Sequence, residues 1–202
     1  TTKTSDAILA LNLDSGKIVW STQLAEGDAF NVACVRVDQT NCPEPPGPDS
    51  DFGASSILVE IGGGKRLLLA GQKSGVVHAL DPDQSGKIVW QTRIGKGGLL
   101  GGIQWGMAVD QRRVYAALSD ISFPPSSTAG GALTPLPDVG GGLFALDIKS
   151  GHKIWNALPI PCGDRKNCSP AQSAAISVIP GIVFSGSLDG HLRAYSTKDG
   201  KI

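Results

Sequence analysis

The 202-residue sequence contains no apolar run long enough to cross a bilayer and no stretch that resembles a signal peptide. Charged residues are few, at 18%, and 18 basic side chains balance 18 acidic ones. The basic residues are scattered, so we expect neither a nucleic-acid partner nor a membrane span. Apolar residues nowhere recur with a helical period over any length, and no helix is predicted.

Glycine is abundant, with 27 residues, and several of these glycines belong to a phrase that the chain repeats. Each copy has an apolar strand, a polar turn containing Gly, and a second strand that ends in Trp. The copies run over 8–20, 77–90, 143–155 and 192–202, and the last stops before its expected Trp. Alternating aliphatic residues around a turn rich in Asp, Ser and Gly predict a β-hairpin.

Further strands are predicted between the hairpins, at 55–61, 65–70, 106–109, 113–118, 174–179 and 182–187. The resulting four-stranded antiparallel units favour an all-β fold, a β-propeller, over a sandwich or a closed barrel. The predicted units within 1–202 are a half blade (6–24), two blades (54–95 and 101–158) and an incomplete blade (170–202). Propellers close with about four to eight blades. We therefore expect an incomplete arc of about three to four blades, whose open edges meet missing blades or a second copy of the arc.

The tryptophans that end three of the repeats are predicted to lie between neighbouring blades. Trp20, Trp90 and Trp155 stand at the same place in the last strand of each unit. Because no blade buries its apolar face alone, we interpret them as packing residues and not as a binding site.

Four cysteines fall into two local pairs within loops rich in Pro, Asn and Asp. Cys34 with Cys42 and Cys162 with Cys168 are predicted to form short disulfide-closed loops in an oxidising compartment. Metal binding is the alternative. Neither pair has the spacing of a zinc knuckle, the chain has only three His, and no Cys-x-x-Cys-His haem motif is present.

The segments between the repeats carry a family resemblance. Asp-Phe-Gly-Ala at 51–54 leads into a strand, and the phrases at 67–81, 101–106, 162–173 and 184–190 follow in order. This order resembles the eight-bladed quinoprotein alcohol dehydrogenases that use pyrroloquinoline quinone (PQQ), and is most similar to their polyvinyl alcohol dehydrogenase branch. The resemblance implies a fragment of a periplasmic or secreted enzyme that oxidises an alcohol to a carbonyl compound and passes electrons to cytochrome c.

The resemblance also implies roles for two charged residues. Asp51 matches the family's catalytic base, which lies beside a bound calcium ion and takes the alcohol proton. Asp49 is a competing assignment, and a solvated Asp in a Pro-rich turn is the structural alternative to a catalytic base. Lys73 lies where the family places a cation against the quinone oxygens, although Lys-Ser-Gly is also ordinary turn chemistry.

Three further residues are expected near the cofactor on the same grounds. Trp105 resembles the Trp of a Gly-Gly-x-x-Trp phrase that offers a flat face to the quinone, with Gln104 as a polar contact. Asp120 matches a polar position facing the cofactor. Packing alone is the alternative for Trp105. Gly53 stands where lanthanide-dependent relatives carry an extra carboxylate, which favours calcium, whose other ligands belong to blades absent from this sequence.

Two other functions stay open from the residues alone. The first is a cofactor-free propeller that acts as a scaffold, an outer-membrane assembly module or another interaction module. The second is a lectin-like or polymer-binding propeller, for which the long loops at 21–50 and 121–140 offer only Phe30 and Phe123 as large aromatic rings for stacking.

Overall fold

The computed structural model describes residues 2–123 and 134–202 of the chain, and these residues form four antiparallel β-sheets. Part of the predicted loop at 121–140 therefore lies outside the described residues. In chain order the strands are β1 (Ala7–Leu11), β2 (Ile18–Gln23), β3 (Ile57–Glu60), β4 (Arg66–Gly71), β5 (Val76–Asp81), β6 (Lys87–Arg93), β7 (Ala108–Val109), β8 (Arg113–Ala117), β9 (Leu143–Asp147), β10 (Lys153–Ala157), β11 (Ser177–Ile179), β12 (Ile182–Gly186) and β13 (Leu192–Ser196).

The two central sheets have four strands each, in the orders β3-β4-β5-β6 and β7-β8-β9-β10, and both are simple up-and-down meanders. The first sheet holds β1 and β2, and the last holds β11, β12 and β13. The prediction of an all-β arc of four-stranded antiparallel blades is confirmed. Each sheet lies within one predicted blade segment, while the boundaries of the blades stay a prediction.

Helical structure in the described residues is limited to two short 3-10 helices, Val32–Val35 and Pro82–Gln84. The second belongs to the turn between β5 and β6, where the side chain of Asp81 accepts a hydrogen bond from the backbone N–H of Asp83 at 2.9 Å. None of the described residues forms a helix capable of crossing a membrane.

The hairpin turns of the two central sheets have an Asp at the start and a Gly at the end. In the turn between β9 and β10, Asp147 Oδ1 accepts hydrogen bonds from the backbone N–H groups of Lys149 and Ser150, at 3.1 and 2.8 Å. Gly151 closes this turn with a φ of +70°, a conformation that residues with a Cβ rarely adopt. The Asp and Gly of the repeated phrase therefore fold the hairpin locally.

The repeat tryptophans join each sheet to the next. The indole of Trp90 lies on Gly151, where an added Cβ would come within 2.4 Å of the ring, and Trp90 Nε1 donates to the carbonyl of Ile148 at 3.2 Å. Thr92, two residues along β6, donates its hydroxyl to the carbonyl of Gly151 at 2.7 Å. One hairpin turn is thus held from two positions on the neighbouring sheet.

The same contact recurs at the other two junctions. Trp20 lies on Gly86 and Trp155 on Gly200, and added Cβ atoms there would come within 2.6 and 2.7 Å of the indoles. Thr22 donates to Gly86, as Thr92 does to Gly151. The predicted position of the tryptophans between blades is confirmed.

The apolar core is continuous between the two central sheets. Leu69 and Val77 of the second sheet and Val114 and Leu146 of the third are fully buried in one cluster, which Trp90 completes. At roughly 25 cal/mol per Å² of apolar surface removed from water, such burial is the main force that holds the sheets together.

Substitution of Gly151 by Ala tests the contact between blades. We expect Gly151→Ala to lower the free energy of unfolding by about 3 kcal/mol, because the methyl group meets the Trp90 ring and the left-handed backbone is also strained. Gly16 is the matched control, since it holds the same turn position with a φ of +67° and has no atom within 4 Å of an added Cβ. Gly16→Ala should cost about 1 kcal/mol from strain alone. If Gly151→Ala and Gly16→Ala lower the free energy of unfolding equally in urea denaturation, the contact between Trp90 and Gly151 does not contribute to stability.

Candidate functional site

An open cleft lies where four chain segments meet. The segments are the start of β1 with the residue before it, the stretch before β3, the turn between β4 and β5, and the loop before β7. The cleft has a volume of about 470 Å³ and is lined by Asp6, Ala7, Asp51, Phe52, Gly53, Lys73, Gln104 and Trp105. Of the residues predicted for a functional site, the structure brings Asp51, Lys73, Gln104 and Trp105 together here.

Backbone hydrogen bonds join the last three of these segments behind the cleft. The N–H of Lys73 donates to the carbonyl of Asp51 at 3.0 Å, and the carbonyl of Lys73 accepts from Gly98 at 3.1 Å. The N–H of Ile103 donates to the carbonyl of Gln72 at 3.2 Å. The side chains of Asp51, Lys73 and Trp105 therefore project from one connected backbone framework.

At one side of the cleft, the ammonium group of Lys73 lies between the carboxylates of Asp49 and Asp51. Lys73 Nζ donates to Asp49 Oδ2 at 2.7 Å and to Asp51 Oδ2 at 3.2 Å. The side chain of Asp49 is 7% exposed and that of Asp51 is 62% exposed. Asp49 is thus the buried counter-charge of Lys73, whereas Asp51 opens into the cleft. Of the two competing assignments for a base, only Asp51 lines the cleft.

The surroundings shift the pKa values of the three groups. Burial raises the pKa of the Asp49 carboxyl above its usual range, despite the opposing hydrogen bond from Lys73. Burial also acts to raise the pKa of Asp51, but its hydrogen bonds with Asp49 and Lys73 outweigh burial and hold that pKa below the usual range. Burial acts to lower the pKa of Lys73, yet the two carboxylates raise it overall. Asp51 is therefore a carboxylate and Lys73 a cation at neutral pH.

Two further acidic residues near the cleft were not predicted from the sequence. Asp28 is buried and accepts the backbone N–H of Asp49 at 3.2 Å, which anchors the stretch before β3. Burial, with Asp28 and Asp51 nearby, raises the pKa of Asp6 to about 6. Alignment of the repeats could have pointed to Asp6. Asp6 directly precedes β1, as Gly75 directly precedes β5, and both residues have a positive φ.

The aromatic wall of the cleft comes from Trp105, whose residue surface is 66% exposed. Gln104 is held by its own loop, since its Nε2 donates to the carbonyl of Gly101. Gly53 packs against this loop, and an added Cβ there would lie 2.5 Å from the carbonyl oxygen of Gln104. No side chain fits at position 53 unless the loop before β7 moves.

Asp120 lies behind the cleft and does not line it. Asp120 Oδ2 accepts the backbone N–H of Lys96 at 2.6 Å, and Oδ1 accepts those of Gly97 and Gly102 at 3.0 and 2.7 Å. Because both oxygens are engaged with backbone, we infer that Asp120 holds the loop before β7 in place. A direct contact of Asp120 with a cofactor stays a prediction without support from this geometry.

Both predicted disulfides are confirmed, and neither lies in the cleft. Cys34 and Cys42 are bonded with Cα atoms 4.8 Å apart, and Cys162 and Cys168 with Cα atoms 5.9 Å apart. The metal alternative for these cysteines is therefore wrong. Within 2–123 and 134–202, no group of three or more His, Cys, Asp or Glu side chains is arranged to hold a metal ion.

His78, on β5 behind the cleft, is a buried histidine to which no sequence motif pointed. It is 2% exposed, and its ring nitrogens contact Gln72 Oε1 at 3.1 Å and Gln91 Nε2 at 2.9 Å. Burial, assisted by the positive charge of Arg93, lowers the pKa of His78 to about 4. The ring is therefore neutral over the physiological pH range.

Fold and cleft together define a class of protein: an arc of a β-propeller with a lysine, an exposed carboxylate and an aromatic face on one side. The sequence model of the PQQ_2 family, described as outer membrane protein assembly factor BamB, matches residues 4–202. The chain belongs to this family.

Two curated relatives agree with the resemblance seen in the sequence. The chain is 41% identical to a polyvinylalcohol dehydrogenase of Pseudomonas sp over 204 aligned positions, which cover 98% of this chain and 29% of the relative. It is 42% identical to a polyvinylalcohol dehydrogenase of Sphingopyxis sp. (strain 113P3) over 206 positions, which cover 98% and 30%. The chain thus spans less than a third of the length of these relatives. The predicted resemblance is confirmed.

A solved structure supports the fold. A europium-containing methanol dehydrogenase superposes on the chain with a TM-score of 0.54 and 16% identity, over 96% of this chain and 37% of that one. At this identity the likeness shows the propeller arc alone.

The role inferred for Asp120 predicts a local effect. Asp120→Asn should speed hydrogen exchange at the amides of Lys96, Gly97 and Gly102 and lower the free energy of unfolding by about 2 kcal/mol, since three hydrogen bonds to a charged acceptor are weakened. Asn tolerates the positive φ of this position, so backbone strain does not add. Asp14→Asn, in an exposed turn, is the control, with an expected change within about 0.5 kcal/mol. Unchanged exchange at the three amides would contradict the role.

The lowered pKa of His78 predicts a pH-dependent loss of stability. The unfolded chain binds a proton at this histidine below pH about 6.5, whereas the folded chain does so only near pH 4. Stability from this group is therefore complete above pH 6.5 and falls as the pH drops to 4. Between pH 7 and 5, the wild type should lose about 2 kcal/mol more than His78→Phe in urea denaturation. Parallel losses in the two proteins would show that the ring is not buried as a neutral group.

Proposed function

We propose that this chain is part of a PQQ-dependent alcohol dehydrogenase that oxidises an alcohol to a carbonyl compound. The observation that carries the proposal is the cleft in which Lys73 lies 3.2 Å from the exposed carboxylate of Asp51, beside the exposed ring of Trp105. The identity of 41–42% to two polyvinylalcohol dehydrogenases supports polyvinyl alcohol or another secondary alcohol as the substrate.

Three groups of the cleft suit a planar quinone with negatively charged oxygens: the ammonium of Lys73, the indole of Trp105 and the amide of Gln104. The cleft volume of about 470 Å³ falls within the range of small-molecule sites. Lys73 has three N–H donors, of which two point to Asp49 and Asp51, so one remains for a quinone oxygen. The exposed indole of Trp105 offers a flat apolar face, and Gln104 adds an amide at the edge.

In the proposed reaction Asp51 accepts the proton of the alcohol hydroxyl. Its lowered pKa keeps it ionised, and its 62% exposure leaves it accessible to a substrate that enters from solvent. When bound, PQQ supplies the quinone carbonyl that accepts a hydride, or its equivalent, from the alcohol carbon. Lys73 stabilises negative charge that develops on the quinone oxygens, and Asp49 holds the ammonium in place from the buried side.

Calcium is proposed as the metal of the complete protein, but the described residues do not form a calcium site by themselves. Calcium takes six to eight oxygen ligands, and the carboxylate of Asp49 is already held by Lys73. Asp51 offers one exposed carboxylate. The remaining ligands would come from other parts of the protein.

Location and electron acceptor follow from the same proposal. Two disulfides are typical of proteins that mature in an oxidising compartment, which supports a periplasmic or secreted protein. Cytochrome c is the proposed acceptor, on the strength of the family resemblance.

A cofactor-free scaffold or interaction module is the second candidate. The matching family model favours it, since its description names an outer membrane assembly factor. A scaffold does not require a carboxylate and a lysine to converge in an open cleft. Quinone binding separates the two candidates.

Titration of the purified chain with PQQ and calcium, followed by quinone absorbance, tests the proposed function. We expect saturable binding that Lys73→Ala weakens by roughly tenfold or more, since a charge-assisted hydrogen bond is lost. Asp51→Asn should retain binding and abolish dye-linked alcohol oxidation in the full-length protein. Lys65→Ala, at an exposed turn in the same sheet, is the control and should change neither.

If neither the folded chain nor the full-length protein binds the quinone, the proposal of an enzyme is overturned and the scaffold remains as the candidate function. Full alcohol oxidation by the Asp51→Asn protein would remove Asp51 as the base, even where quinone binds.

A further inference from the structure

A chain of side-chain hydrogen bonds runs from Gln91 on β6, the edge strand of the second sheet, through the buried His78 to the turn that carries Lys73. Gln91 Nε2 donates to His78 Nδ1 at 2.9 Å, and His78 Nε2 donates to Gln72 Oε1 at 3.1 Å. The hydroxyl of Ser74 donates to the same oxygen at 2.6 Å. The two residues on either side of Lys73 are thus tied to each other and to the buried histidine.

The directions of these hydrogen bonds require a single form of the ring. Gln72 Oε1 only accepts, so His78 must carry its proton on Nε2, and Nδ1 is then free to accept from Gln91. A doubly protonated ring would present an N–H to the amide donor of Gln91. The neutral ring therefore completes the network, in line with its 2% exposure.

Backbone contacts of the same turn complete the support of Lys73. The N–H of Gln72 donates to Val76 at 3.1 Å, and the N–H of Gly75 donates to Gln72 at 3.0 Å. On the far side, Arg93 donates through its guanidinium to the carbonyl of Ser74. The backbone hydrogen bonds close the turn between β4 and β5, and the side chains of Gln72, Ser74 and Arg93 orient it relative to β5 and β6.

His78 also contacts the second wall of the cleft. Its ring lies 5.8 Å from the ring of Phe52, centroid to centroid, at an angle of 60°. Phe52 directly follows Asp51 and lines the cleft. One buried ring therefore touches both the segment that carries Lys73 and the segment that carries Asp51.

We propose that His78 is a positioning residue for the Lys73–Asp51 pair, acting on Lys73 through Gln72 and Ser74 and on Asp51 through Phe52. Its significance for catalysis rests on the function proposed above, whereas its effect on Lys73 does not. The aligned strand positions of the neighbouring sheets support a role specific to this sheet: β9 has Phe144 and β13 has Arg193 where β5 has His78.

The experiment measures the acetylation rate of Lys73 by acetic anhydride, resolved by mass spectrometry in the whole chain. In the wild type, the buried and ion-paired Lys73 should react slowly compared with exposed lysines such as Lys17. His78→Phe keeps a ring of similar size and removes both hydrogen bonds. We expect it to raise the rate at Lys73 roughly fivefold, the effect of losing a typical hydrogen bond from the support of the turn. Gln72→Leu should do the same by cutting the network at its centre.

Thr92→Val is the matched control, because it removes a side-chain hydrogen bond of β6 outside the network. It should leave the rate at Lys73 unchanged while destabilising the same sheet. An unchanged rate at Lys73 in folded His78→Phe and Gln72→Leu proteins would overturn the proposal, and so would an equal rise in Thr92→Val.

A parallel PQQ titration separates this inference from the proposed function. If the wild type binds PQQ, His78→Phe should weaken binding by the same roughly fivefold factor, and Thr92→Val should not. If the wild type binds no PQQ but the acetylation pattern is as expected, the positioning role stands and the proposed function fails. Normal PQQ affinity in His78→Phe, together with protected Lys73, would refute the role.

Discussion

The contact of a tryptophan on a glycine of the next sheet is the interaction on which the rest of this structure depends. A four-stranded sheet cannot bury both of its faces alone, so each blade needs a neighbour. Trp90 on Gly151 and Trp155 on Gly200 set the spacing, because the glycine lets the ring approach the turn directly. The hydrogen bonds of the indoles and of Thr92 then set the rotation of one sheet against the next.

The cleft is a consequence of this stacking. Its lysine belongs to one sheet, its exposed tryptophan precedes the next, and Asp6 precedes the first, so no single blade contains the site. Asp120, in the loop after β8, holds the loop before β7, although it does not touch the cleft. Residues outside the cleft, such as Asp120, therefore help to bring the residues that line the cleft together.

The carboxylates of Asp49 and Asp51 are only two residues apart but lie in different electrostatic environments. Asp49 is buried and bonded to Lys73, which costs solvation but orients the ammonium. Asp51 keeps most of its surface in solvent and is held ionised by its neighbours. Behind them the neutral ring of His78 supplies directional hydrogen bonds without adding a charge to the site. A buried cation there would oppose Lys73.

The hairpins, the tryptophan positions and both disulfides could be predicted from the amino-acid sequence, because they depend on short repeats and on local spacing. The family could be predicted from the ordered phrases between the repeats. The sequence also placed Asp51, Lys73, Gln104 and Trp105 as candidates. The tertiary structure was needed to show that Asp51, and not Asp49, lines the cleft and that Asp120 accepts hydrogen bonds from the loop before β7. It also revealed Asp6, Asp28 and His78 near the cleft. Exposure, pKa and hydrogen-bond partners depend on which segments meet in space, and the sheets bring together residues as far apart along the chain as Asp6 and Trp105.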